Sequence, residues 1–205
     1  MTSLNAGVIG IRLVISLFVQ RLLAQIVGEA GIAKIGSLRN LTEMLGSFAS
    51  VGTFSGVIKY VSQYQEDKEQ LQKLFSTTTV FVVFGSLAVF LVLFFGAGSL
   101  SETIFESRDY IYLIRLLAVM VPFIGMYRVF NGVVNGLSRY KRLASIELFG
   151  YIVSSILTVV LLLTHNLDGA LVAIAITPAF QFFVLLFIFS KVLREYVQFS
   201  KLSFK

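Results

Sequence analysis

Arg12, Arg39, Glu43, Arg128 and Glu147 stand in stretches otherwise apolar enough for a lipid interior. A basic group there costs about 2.5–3.5 kcal/mol on insertion scales, so such groups need a protein-lined or water-filled space to face. Each helical residue turns about 100°. In KIGSLRNLTEMLGSFASVGTFSGVIKYVSQY, residues 34–64, that rotation gathers Arg39, Glu43, Gly46, Ser50 and Thr53 on one narrow stripe, with Leu45 and Phe48 opposite. Further on, Ile124, Arg128, Asn131 and Asn135 share a face, as do Glu147, Tyr151, Ser154, Thr158 and His165. Arg12, Ser16 and Gln20 align, whereas Arg21 points the other way and suits a side chain reaching for the interface. These types at these spacings line a polar cavity inside a membrane. Two plainer readings stand beside that one. Arg39 and Glu43 can pair within their own helix, and Glu147 can form a buried ion pair that only fixes helix packing.

The composition demands many helices to build such a cavity. Of 205 residues, 57% are hydrophobic and 14% charged, and the mean hydropathy is +0.86. A soluble core of this size cannot hide so much apolar surface. The long apolar runs, without alternating ten-residue patterns, indicate an all-α integral membrane protein rather than a barrel. Cysteine is absent, which excludes disulfides and thiol chemistry. One histidine, His165, argues against a histidine metal site, and no cofactor or metal is expected. The net charge of +6 is scattered among apolar segments and forms no basic stripe, so a nucleic-acid partner is not expected.

Six segments have spanning length: 5–27, 36–60, 74–98, 110–136, 144–165 and 169–191, with a tail at 192–205. They make a single unit, 1–205. Lys68, Lys73, Arg139, Lys141, Arg142, Lys191, Arg194, Lys201 and Lys205 lie in the second and fourth connections and the tail, against Lys34 and Arg108 in the other three. The positive-inside rule then places both termini in the cytoplasm. The third segment carries no charge and reads as a lipid-facing helix. Pro122 and Pro178 predict bends in the fourth and sixth. Asp168 is expected to cap the sixth, and His165 to be solvated. Residues 54–64 (FSGVIKYVSQY) align without a gap to 130–140 (FNGVVNGLSRY), with Phe, Gly, Val, Ser and Tyr identical. The repeat predicts close helix approach at its glycines.

RLLAQIVGEAGIAKIG, residues 21–36, resembles the first turn of flippases in the multidrug/oligosaccharidyl-lipid/polysaccharide superfamily, with Glu29 where the G-P-x-G pattern has proline. Arg39-Asn40 with GSFASVGTFSGVIKYVSQY resembles the second helix of the O-antigen branch, the Wzx-type flippases, and NLDGALVAIAITPAFQFF its sixth. The resemblance implies a six-helix N-terminal lobe of a two-lobe transporter. Its task would be to move undecaprenyl-pyrophosphate-linked O-antigen oligosaccharide from the cytoplasmic to the periplasmic leaflet of the bacterial inner membrane, in lipopolysaccharide biosynthesis. The expected partners are membrane lipid, the lipid-linked oligosaccharide, and a second lobe or another copy. On this reading Arg39, Arg128 and Arg12 contact pyrophosphate, because planar guanidinium donors grip phosphate oxygens and stay charged when desolvated. Glu43 and Glu147 hold those arginines when the cavity is empty. Asn131, Asn135, Ser50 and Thr53 face sugar hydroxyls. The alternatives are a drug or cation efflux carrier of the same superfamily, which calls for more cavity acids, and an inactive transporter fragment. A membrane-embedded enzyme fits less well, since no segment contains an Asp and no ligand cluster suits a metal.

Overall fold

A computed structural model describes residues 2–50, 54–64, 67–136 and 140–196. Among them the chain is helical almost throughout: α1 (Thr2–Ala49), α2 (Phe54–Gln63), α3 (Lys68–Phe95), α4 (Ala97–Phe105), a 3-10 turn (Arg108–Tyr110), α5 (Ile111–Gly136) and α6 (Tyr140–Tyr196). Four helical stretches of the described residues are long and apolar enough to cross a membrane: Gly7–Ala49, Glu69–Phe95, Arg108–Gly136 and Glu147–Ile188. In lipid no water satisfies a backbone, so helices supply every bond internally.

The longest two are hairpins rather than rods. In α1 the helix breaks at Gly28, with φ 66° and ψ −171°, a conformation open essentially to glycine alone. In α6 it breaks at His165 and Asn166. Gln181 Cγ lies 3.6 Å from where a Cβ on Gly150 would sit, whereas an unbroken helix would separate those residues by about 46 Å. The limbs 140–164 and 167–196 therefore run side by side, and so do 2–27 and 29–49, since Ser16 and Gln20 line one cavity with Arg39 and Thr42. The turns at Gly28 and His165, with α4 and the 3-10 turn, define one end of the molecule, hereafter the turn end.

Several boundaries differ from the sequence expectation. The 36–60 segment is interrupted: α1 ends at Ala49 and α2 begins at Phe54. Ser50 donates its hydroxyl to the Gly46 and Ser47 carbonyls, at 2.8 and 3.2 Å, a local bond that competes with helix continuation. α3 starts at Lys68 instead of 74 because the Asp67 carboxylate accepts from the Glu69 and Gln70 amides, at 3.0 and 3.1 Å. A Lys73–Glu69 pair at 2.7 Å then supports its first turn. Both prolines sit inside their helices, and neither is among the residues with non-helical dihedrals. Asp168 accepts a hydrogen bond from Tyr112 at 3.2 Å instead of capping a helix. His165 is exposed at its turn. The outward side of α3 presents Phe81, Phe84, Val92 and Phe95, as expected of a helix against lipid.

The repeated segments pack on each other. A Cβ on Gly132 would sit 3.3 Å from Val57 and 3.4 Å from Phe54, while nothing approaches Gly56. Close approach is therefore made at one glycine of the repeat and not at its counterpart. Val57, Val61, Leu71, Phe75 and Val133 form a small cluster there. A larger cluster fills the turn end, where Leu38, Leu113, Ile114, Leu117, Leu162 and Leu171 are wholly buried.

Candidate functional site

Both limbs of α1, both limbs of α6 and the second half of α5 enclose a groove with two adjoining compartments. The first, about 510 Å³, is lined by Ser16, Gln20, Arg39, Thr42 and Glu43 from α1, and by Tyr151, Ser154, Ser155, Thr158, Thr177 and Gln181 from α6. The second, about 310 Å³, is lined by Thr42, Glu43, Phe54, Ile124, Tyr127, Arg128, Asn131, Pro178 and Gln181. Thr42, Glu43, Pro178 and Gln181 belong to both, so the compartments share a wall.

The charged groups meet in two inter-helix pairs. Arg128 donates to Glu43 Oε2 at 2.8 Å and to Ser47 Oγ at 2.9 Å. Arg12 meets Glu147 Oε2 at 3.3 Å and lies 5.6 Å from the Tyr151 ring centre. Glu147 also accepts from Asn131 Nδ2 at 3.1 Å. All four ionised groups lie about 15–18 residues from the turns, or roughly 22–27 Å along their helices, and so form one charged layer. The Glu43 side chain is 79% exposed and that of Arg128 only 27%. Arg128 is thus seated against the protein while its carboxylate partner faces the open groove.

Glycine at position 46 makes this seat possible. A Cβ there would lie 2.7 Å from Arg128 Nε and 3.1 Å from Ile124. The guanidinium crosses α1 where a side chain is missing.

Arg39 lines the first compartment and makes no ion pair or hydrogen bond with another described residue. The i, i+4 alternative, Arg39 with Glu43, is not what forms, because Glu43 turns to Arg128. Arg21 is exposed and outside the groove.

The expected sugar-facing residues separate. Asn131 lines the second compartment. Asn135 does not, and its amide bonds back to Asn131 Oδ1 at 2.6 Å and to the Asn131 carbonyl at 3.0 Å. Ser50 is buried with its hydroxyl on the Gly46 carbonyl, so it is not presented to the groove. Thr53 lies outside the described residues.

Other residues of the site were given no role from the sequence: Thr42, Ser47 as an Arg128 partner, Tyr127, Thr177 and Gln181. Thr177 and Gln181 did carry a signal, being two polar residues at i, i+4 spacing in an apolar helix. No group of three or more potential metal ligands occurs among the described residues.

A curated lipid III flippase from Escherichia coli (strain K12) is 30% identical over 163 residues, 80% of this chain and 39% of that protein. A lipid III flippase from Shigella flexneri matches to the same extent. The matched stretch therefore covers well under two thirds of these relatives. No solved structure matches. The family model described as polysaccharide biosynthesis protein matches residues 10–205, and with nearly the whole sequence inside that match the chain belongs to the polysaccharide biosynthesis protein family.

Proposed function

We propose that this chain forms one lobe of a flippase for polyprenyl-pyrophosphate-linked oligosaccharide. It carries O-antigen units from the cytoplasmic to the periplasmic leaflet of a bacterial inner membrane. The observation that carries this reading is the pairing pattern in the groove. Arg39 has no ion-pair partner among the described residues, and the partner of Arg128 is an exposed carboxylate. An arriving pyrophosphate offers more oxygen acceptors than Glu43, and charge-assisted bonds to arginine are strong and bidentate. It competes for Arg128 and completes the open valence of Arg39. The polyprenyl tail stays in lipid throughout. The 30% identity to lipid III flippases supports the same substrate class.

The limbs of α1 and α6 with α3 and α5 give six crossings in this proposal, with the turn end periplasmic and both termini cytoplasmic. A flippase exposes its site to one leaflet at a time, which takes two bodies rocking against each other. A second lobe, whether further polypeptide or another copy, closes the groove.

The test is restoration of O-antigen export in a strain lacking its own flippase. Arg39→Ala and Arg128→Ala each lower export on the order of a hundredfold while membrane levels hold. The lysine variants restore it in part, because lysine lacks the planar fork. Normal export by both alanine variants sinks the pyrophosphate role. Reporter fusions at residues 104 and 205 give opposite signals if six crossings are made, and matching signals refute them.

A further inference from the structure

We infer that the larger compartment, between the limbs of α1 and α6, is a carbohydrate subsite that takes the sugar nearest the pyrophosphate. The inference rests on the flippase reading and adds which residues read the cargo.

Most residues of the lining carry a polar group, and the charges balance. Its charged members are Arg39 and Glu43, one of each sign, and the remainder of its polar wall is hydroxyl and amide. The three threonines spend their protons on their own helices. Thr42 donates to the Leu38 carbonyl at 2.9 Å, Thr158 to that of Ser154 at 2.8 Å and Thr177 to that of Ala173 at 2.8 Å. A hydroxyl has one donor and two acceptor lone pairs, so these three present acceptors to the cavity. Gln20 and Gln181 line the same space, and neither amide bonds to another described residue. They supply donors as well as acceptors.

Ser154 gives the independent sign that something belongs there. It lines the compartment at 6% exposure, and its Oγ, itself buried, has no hydrogen-bond partner among the described residues. A buried hydroxyl left without a partner is costly, and a ligand hydroxyl removes that cost. Sugar hydroxyls both donate and accept, which matches a wall of acceptors interspersed with amides.

A bare cation fits poorly. Calcium sites converge six to eight oxygens at about 2.3–2.6 Å, whereas this compartment holds about 510 Å³, within the roughly 300–1,000 Å³ usual for organic ligands. Position agrees with the proposed chemistry. The sugar is joined directly to the pyrophosphate, and this compartment shares its Glu43 and Gln181 wall with the one that contains Arg128.

The test compares two probes on the full chain in lipid nanodiscs: polyprenyl pyrophosphate carrying one N-acetylhexosamine, and bare polyprenyl pyrophosphate. Ser154→Ala, Thr158→Val and Thr177→Val each weaken the sugar-bearing probe by roughly three- to tenfold, about the worth of one hydrogen bond, and leave the bare probe unchanged. Ser154→Ala removes a hydroxyl without a partner in the free protein, so folding does not confound it. Equal losses on both probes, or undiminished binding of the sugar-bearing probe by all three variants, overturn the subsite while leaving the flippase reading intact. Wild-type protein that binds neither probe overturns the flippase reading and this inference together.

Discussion

The two ends of the molecule are built on different plans. At the turn end one continuous apolar cluster joins α1, α3, α4, α5 and α6, reaching as far as Ala49 and Val121. At the other end the core divides. Phe130, Val134, Phe182 and Leu185 make one cluster between α5 and α6, and Val57, Val61, Leu71, Phe75 and Val133 make another among α2, α3 and α5. The charged layer and the groove lie where that cluster thins to its α1 members Leu41, Leu45 and Ala49. An arginine embedded in a sealed apolar cluster would lack partners and water, and that cost rises with desolvation. The core therefore parts where Arg128 and Arg12 enter. The contrast teaches a division of labour: a closed end that holds the helices in register, and a divided end that leaves room for polar groups and the groove.

Changes at the divided end should impair transport and spare stability, and changes at the turn end should do the reverse. The largest effect is expected from Arg128→Ala. Glu43 is already exposed and is not left as a buried orphan charge, so thermal stability stays within about 1 kcal/mol while export falls on the order of a hundredfold, as loss of a charge-assisted anion contact implies. A large drop in melting temperature would mean that the charged layer is a packing device, and the comparison would fail. Next comes Leu117→Ala, at a wholly buried position of the turn-end cluster. In lipid the transfer component is small because the surroundings are apolar as well, leaving the cavity component, about 2 kcal/mol of lost stability in detergent unfolding. Export per folded molecule should not change.

Gly46→Ala is smaller and more selective. The new methyl would stand 2.7 Å from Arg128 Nε and displace the guanidinium, which reduces export by about tenfold without loss of expression. An unimpaired Gly46→Ala protein would show that the seat of Arg128 is unimportant. The smallest effect belongs to Glu147→Gln. The amide retains the shape of the carboxylate but loses the charge facing Arg12 at 3.3 Å. Export should change by about threefold, the scale of a partly exposed ion pair. A loss as large as that of Arg128→Ala would place Glu147 in the transport chemistry.

The sequence by itself determined the apolar, all-helical class and the face of each helix that carries polar groups. Those features follow from composition and from a 100° rotation that every helix shares. Arg39 and Glu43 on α1, Ile124, Arg128 and Asn131 on α5, and Tyr151, Ser154 and Thr158 on α6 line one groove, as their spacing indicated. The end of α1 at Ala49 was not legible, since an apolar run of small residues reads the same whether or not a serine turns onto its own backbone. Partner choice was left entirely to the tertiary structure. Spacing alone offered Glu43 to Arg39, four residues away, yet Glu43 pairs with Arg128 across 85 positions. That outcome depends on how closely α1 and α5 approach at Gly46. Periodicity fixes the direction a side chain leaves its helix, and only the packing of neighbouring helices fixes what it meets.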